Sequence, residues 1–326
     1  MRRRDVIKLI GAAVAAGPAA ARAQQSAMPA IGLLDAGFAA DRIHAVAAFR
    51  QGLADAGYAE GRNVEFEFRW ADDELDRLPA LARNLIDRRV ALIAAFGNAA
   101  ALGAKAATST TPVVFSSSSD PVAIGLITNL IQPGGNMTGV TILNQELDST
   151  RLERLIQFAP QATTIAFLVN PASLTTTAKM REMDGAARAF GRQLHVLEAR
   201  SRREFEGVFT RMEQQRIGAM VVASDTAFSN ASGELGHVST LHAIPVVGAY
   251  RPFVEAGGLM SYGTDLADSY RRVGGCAGRI LKGERPGDLP VQQSTRVEFV
   301  INARTANRLG LQIPASLRAI ADEVIE

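Results

Sequence analysis

Thr164-Ile165-Ala166-Phe167-Leu168-Val169-Asn170-Pro171 is the stretch that decides the fold. Its first six residues are apolar after Thr164 and too few for a helix, so they read as a strand buried on both faces. The run breaks at Asn170-Pro171, and Thr176–Phe190 then recurs at helical spacing. The same order appears three more times. Val90–Phe96 runs into Gly97-Asn98, Val113–Phe115 into Ser116-Ser117-Ser118-Ser119-Asp120-Pro121, and Ala219–Ala223 into Ser224-Asp225-Thr226. Strand, polar turn and helix in repetition predict an α/β protein with mostly parallel sheets covered by helices.

Working outward, Ala30–Leu34 is a short apolar run ending in Asp35-Ala36-Gly37. Ile43, Val46, Phe49 and Leu53 follow at helical spacing, stopped by Gly57. In Val64–Trp70, apolar and charged residues alternate, which predicts a strand with one wet face near a sheet edge. Helices are predicted at Leu75–Leu85 and Pro121–Ile131, and a strand at Gly139–Leu143. The rhythm restarts after Asn144, with strands at Leu194–Leu197 and Ile244–Val247 and helices at Leu147–Phe158, Arg203–Gln215 and Ser232–His242. Two such runs predict two similar lobes. The tail reads as a strand at Gly258–Tyr262, a helix at Leu266–Leu281 and a last strand at Arg296–Ile301.

Composition narrows the function. The 326 residues are 47% hydrophobic and 21% charged, a soluble profile with a real core. Residues 1–23 carry Arg2, Arg3, Arg4, Lys8 and Arg22 against Asp5, which leaves 30 of the 35 basic and 32 of the 33 acidic groups for the remainder. That remainder is nearly neutral and carries no electrostatic footprint for nucleic acid. The first 23 residues read as an export leader: Arg2-Arg3-Arg4, an uncharged run from Leu9 to Ala21, and a small-x-small cleavage site at Ala21-Arg22-Ala23. Arg3-Arg4-Asp5-Val6-Ile7-Lys8 follows the twin-arginine pattern. The mature chain is expected in the periplasm as a monomer.

Catalytic and metal motifs are absent. One cysteine, Cys276, allows no internal disulfide, and four scattered histidines make no metal centre. Gly258-Leu259-Met260-Ser261-Tyr262-Gly263 misses the spacing of a nucleophile elbow by one residue, and Cys276 lies in a small-residue helical run. No cofactor and no metal are expected. What does recur is the polar strand end. In open α/β sheets, ligands bind beyond the carboxyl ends of the strands, where helix starts offer free N–H groups. Asp120, Asn170 and Asp225 also fit the simpler role of helix caps. Tyr250 and Tyr262, each near a strand end, offer a stacking face and a hydroxyl.

Several blocks together resemble the ABC transporter substrate-binding protein family, in the branch related to tryptophan and tyrosine binders. They are Phe49-Arg50-Gln51-Gly52-Leu53, Arg77-Leu78-Pro79-Ala80-Leu81-Ala82, Asp120-Pro121-Val122, Pro133-Gly134-Gly135-Asn136-Met137-Thr138-Gly139-Val140, Gly257–Gly263 and Leu289-Pro290-Val291-Gln292-Gln293. The resemblance implies a type I periplasmic-binding fold: two Rossmann-like lobes joined by three crossings that close on a small molecule. It also implies delivery of that solute to a permease in the inner membrane, with no catalysis. The expected division is residues 29–143 plus 258–294 for lobe 1 and 144–257 plus 295–326 for lobe 2, hinged near Leu143-Asn144, Gly257-Gly258 and Gln293–Arg296. The expected ligand contacts are Phe96, Gly97, Asn98, Ser117, Ser118, Ser119 and Asp120 with the hinge-side Tyr262 and Asp265 of lobe 1, facing Asn170, Asp225, Thr226 and Tyr250. Asp120 and Asp225 are expected to take an ammonium group, and serine hydroxyls a carboxylate. A sensing ectodomain and a cleft enzyme on the same plan stay open at this level.

Overall fold

The computed structural model describes residues 28–142, 147–173 and 175–326. Residues 1–23, read as a leader, and Leu143-Asn144, read as a hinge, lie outside the described residues.

The first sheet contains β1 (Ala30–Asp35), β2 (Glu65–Trp70), β3 (Leu92–Phe96), β4 (Val113–Ser117), β5 (Met137–Ile142) and β11 (Gln292–Ser294). Their spatial order is β11-β5-β4-β3-β1-β2, and every pairing is parallel. The two central strands β3 and β4 are buried at every residue. The alternating strand β2 closes the sheet as an edge, half-exposed along its length, as its charged face requires.

The second sheet contains β6 (Thr164–Val169), β7 (Gln193–Glu198), β8 (Ala219–Val222), β9 (Val246–Gly248), β10 (Met260–Thr264), β12 (Val297–Asn302) and β13 (Glu323–Ile325), in the order β13-β12-β10-β9-β8-β6-β7. Among the described residues only β10 and β12 run antiparallel to each other. Both faces of each sheet are covered by helices, so the core splits into four apolar clusters. Each fully buried Phe or Leu in them contributes roughly 1.5–3 kcal/mol.

In the first lobe, the helices Ile43–Asp55 and Leu266–Leu281 pack backbone against backbone. A Cβ on Gly52 would lie 1.9 Å from the Arg271 carbonyl oxygen, and one on Gly274 2.2 Å from that of Phe49. The small residues around Cys276 are therefore packing devices.

The chain crosses between the lobes after Ile142, at Asp265, and between Ser294 and Val297. The second crossing corrects the sequence reading, which assigned residues 258–294 to lobe 1. Strand β10 pairs with β9 and β12 and so belongs to the second sheet, and the chain returns to the first lobe only with the helix from Leu266. Gly257-Gly258 is accordingly not a hinge. It is a turn inside lobe 2, with Gly257 at φ +109° and Gly258 pressed against the Phe253 ring.

A second correction concerns Pro121–Ile131, which forms successive turns instead of a helix. Gly125 adopts φ +72°, and the Leu126 and Ile127 amides both bond back to the Pro121 carbonyl.

Candidate functional site

The carboxyl ends of the two sheets face each other across a cleft, and the polar turns beyond them build its walls. Gly97, at φ +88°, turns the chain out of β3 into the helix Asn98–Ala107. That places the Asn98 amide beside the serine run. Its Oδ1 accepts from Ser117 Oγ at 2.8 Å and the Ser118 amide at 3.1 Å, while its Nδ2 donates to Ser119 Oγ at 2.8 Å. In the second lobe, Asp225 caps the short helix Thr226–Asn230 by accepting from the Ala227 amide at 2.9 Å. It also accepts from Asn170 Nδ2 at 3.0 Å, so the ends of β6 and β8 are tied together.

The lobes touch. A Cβ on Gly97 would meet Thr226 Cγ2 at 3.0 Å, and one on Gly37 would meet Asn230 Nδ2 at the same distance. Arg202, from lobe 2, reaches two carboxylates of lobe 1: Asp41 at 2.7 Å and Asp73 at 3.0 Å. Its guanidinium also lies over the Phe38 ring, 4.6 Å from the centroid, and Glu234 of its own lobe stands 3.5 Å away.

These contacts divide the cleft. A crossing-side chamber of about 420 Å³ is lined by Arg42, Asn230, Tyr250, Asp265, Leu266 and Tyr270, among others. A far chamber of about 380 Å³ has an apolar wall of Leu75, Leu102 and Ile124 opposite Asn170, Asp225 and Arg202. A small waist of about 20 Å³ shares lining residues with both, and is edged by Gly97, Ser116, Ser118 and Thr226 with Arg42, Asn230, Tyr250 and Tyr270. Asn230 lines all three spaces. Both chambers fall within the range of ordinary small-molecule sites, about 300–1,000 Å³.

The residues with most unspent capacity were not among those expected. Arg42 is 4% exposed, and Asp35, 2.8 Å from its Nε, is its one partner among the described residues. Burial pushes the Asp35 carboxyl up, against the pull of Arg42 and of the Gly37 amide. Arg42 cannot shed its proton, so a neutral Asp35 would strand a buried cation; the pair stands ionised. Asn230 is 3% exposed, and its Oδ1 has no hydrogen-bond partner among the described residues. Asp35 follows the same strand-end logic as Asn170 and Asp225, since it closes β1. That signal was available; Arg42 and Asn230 carried none.

The expected residues separate. Gly97, Asn98, Ser118, Ser119, Asn170, Asp225, Thr226, Tyr250 and Asp265 all line one of the three spaces. Ser117 does not: it is fully buried, with its hydroxyl given to Asn98 and the Ser119 carbonyl. Phe96 is a correction too, because it packs into the lobe 1 core 4.8 Å from the Tyr270 ring and 5.7 Å from Phe49. Asp120 is exposed and spends its carboxylate capping the Val122 and Ala123 amides, so it holds a turn. Tyr262 points away from the cleft, between Phe299 and the Arg154 guanidinium. Phe228 is core, as is Ser261 within β10.

Behind the cleft, Arg151 is fully buried and holds the lobe 2 end of the crossings. It donates to the Tyr262 carbonyl at 2.6 Å and to Ser224 Oγ at 2.8 Å, and pairs with Asp148. Burial pushes the Cys276 thiol up to about 11, so it is no nucleophile. Among the described residues no cluster of His, Cys, Asp and Glu suits a metal ion, and no helix is long and apolar enough to cross a membrane.

Residues 40–325 match the family model described as ABC transporter substrate binding protein. The chain is 25% identical over 261 residues to a tyrosine-binding protein of Clostridioides difficile strain R20291, covering 78% of this chain and 72% of that one. It is similar in structure to the ABC domain in complex with L-Trp from Streptococcus pneumonia, with a TM-score of 0.80 and 25% identity over 91% of this chain and 99% of that one. A periplasmic binding protein/LacI transcriptional regulator from Alkaliphilus metalliredigens, complexed with D-xylulofuranose, shares the fold at a TM-score of 0.58 and 14% identity, over 83% and 96% of the two chains. The two-lobed type I periplasmic-binding fold expected from the sequence is therefore the fold of this protein.

Proposed function

We propose that this chain, which belongs to the ABC transporter substrate binding protein family, captures an aromatic amino acid between its lobes and hands it to the transporter's permease. Proteins of the family bind and deliver solute without catalysis. The observation that carries the reading is the cleft itself: two lobes meeting over buried, incompletely satisfied polar groups, with Tyr250 and Tyr270 beside them. Buried polar groups left unpaired cost free energy, and a polar guest that satisfies them recovers it. The tyrosine rings and the apolar wall of the far chamber suit an aromatic side chain. The relatives that bind tyrosine and L-Trp support the same class of solute.

In this reading the open form takes solute on one lobe and the other lobe rotates over it about the three crossings. Closure stores differential affinity, since a ligand that held both states equally would shift neither. Arg202 fastens the closed form to Asp41 and Asp73. Residues 1–23 direct export through the twin-arginine route, and the mature protein works as a periplasmic monomer.

A thermal-shift panel of L-Trp, L-Tyr, L-Phe, aliphatic amino acids and sugars tests the proposal. A ligand at about 100 times its Kd adds about 2.7 kcal/mol of stability. The expected result is a shift with at least one aromatic amino acid and none with the sugars. A shift confined to sugars would overturn it.

A further inference from the structure

We infer that the site reads its solute as a zwitterion, with Arg42 of lobe 1 receiving the carboxylate and Asn230 Oδ1 of lobe 2 receiving the ammonium group; this rests on the amino-acid reading above. Both side chains line the crossing-side chamber and the waist, and they approach from opposite lobes. Each is at least nine-tenths buried. A guanidinium has five N–H donors, and Arg42 has one partner among the described residues. The Asn230 Nδ2 lies against Gly37, and its buried Oδ1, without a hydrogen-bond partner among the described residues, is the acceptor left over for a guest. A donor fork and an acceptor in one small space match the two ends of an α-amino carboxylate.

Charge balance decides between a zwitterion and a simple ion. The Asp35–Arg42 pair is already neutral as a unit. A bare carboxylate would leave one buried negative charge in excess and a bare amine one positive charge, whereas a zwitterion adds none. The other charged groups around the chamber are engaged. Asp41 pairs with Arg202, Asp265 caps its helix and pairs with Arg296 at 3.4 Å, and Arg251 pairs with Glu298 at 2.7 Å and Glu255 at 3.7 Å. His44 is exposed at the rim. Arg42 is thus the cation with capacity to spare, and Asp35 positions it.

Isothermal titration of the mature chain with L-tryptophan, tryptamine and indole-3-propionate, and with the matching tyrosine series, tests this. The parent should prefer the amino acid over either truncated analogue by at least about 30-fold, the cost of leaving a buried charged partner unmatched. The double variant Asp35→Asn, Arg42→Gln keeps the site neutral but takes away the carboxylate's donor fork, so its preference for L-tryptophan over tryptamine should fall at least about tenfold below the parent's. If the parent binds either analogue within threefold of the amino acid, or if the folded double variant keeps the parental preference, the assignment is overturned. Should the double variant fail to fold, the analogue series on the parent decides alone. Binding of L-tryptophan or L-tyrosine with no such preference sinks only this assignment. Failure of both amino acids to bind sinks the amino-acid reading with it.

Discussion

Replacing Arg202 with Ala removes a side chain that, alone among the described residues, pairs with carboxylates of both lobes. It loses ion pairs to Asp41 at 2.7 Å and Asp73 at 3.0 Å, whose side chains are 30% and 29% exposed, and the stacking on Phe38. Partly exposed pairs are worth about 0.2–1 kcal/mol each, and a guanidinium over an aromatic ring about 0.5–1 kcal/mol. The contact to Glu234 lies within lobe 2 and persists in an open form, so it does not count. Closure should therefore weaken by about 1.5 kcal/mol, roughly a 12-fold rise in apparent Kd for a solute held only by the closed state. Isothermal titration of Arg202→Ala and the parent at low salt reads this directly. At 1 M salt the Debye length falls to about 3 Å, so the parent should approach the variant while the variant barely changes. An Arg202→Ala protein that binds within twofold of the parent at low salt, or shares its salt dependence, would refute the interlobe role.

Three further outcomes follow from the packing. Gly274→Ala should lower stability by about 1–2 kcal/mol in chemical denaturation: a Cβ 2.2 Å from the Phe49 carbonyl forces two helices apart, and the better helix propensity of Ala returns only part of the cost. No loss of stability would mean the helices are not in that close contact. Asn98→Ala removes bonds to Ser117, Ser118 and Ser119 and should cost about 1–3 kcal/mol; an unchanged melting temperature would show that the serine run does not depend on it. Although burial opposes its charge, His242 is raised above its ordinary value by Glu213 at 2.7 Å and Glu206 at 3.0 Å. Its stabilisation is then complete below about pH 6.5 and fades as pH rises through the elevated value. His242→Gln should remove that part of the stability slope, about 0.2–1 kcal/mol, and an unaltered pH profile would count against it.

How far the residues alone reveal this molecule depends on the kind of signal each position carries. Strand-turn-helix order showed both sheets, the wet edge strand β2 and the helix Leu266–Leu281, because periodicity and burial are local in sequence. It did not show which sheet β10 joins, since that depends on an antiparallel partner found thirty-odd residues later at β12. Polar strand ends pointed to Asn98, Asn170 and Asp225, which line the far chamber. The same rule misled at Asp120, where a turn consumes the carboxylate, and at Tyr262, which sits mid-strand with its ring toward Phe299. Arg42 looks like any surface arginine in the chain. Only the fold, by setting it on Asp35 and closing lobe 2 above it, makes it a buried charge.

Small-angle scattering from the mature protein, with and without a saturating aromatic amino acid, tests the central claim most directly. Capture between the lobes predicts a smaller radius of gyration in the presence of L-Trp or L-Tyr, with no change on adding a sugar that does not bind. A ligand that binds tightly yet leaves the dimensions of the protein unaltered would contradict it.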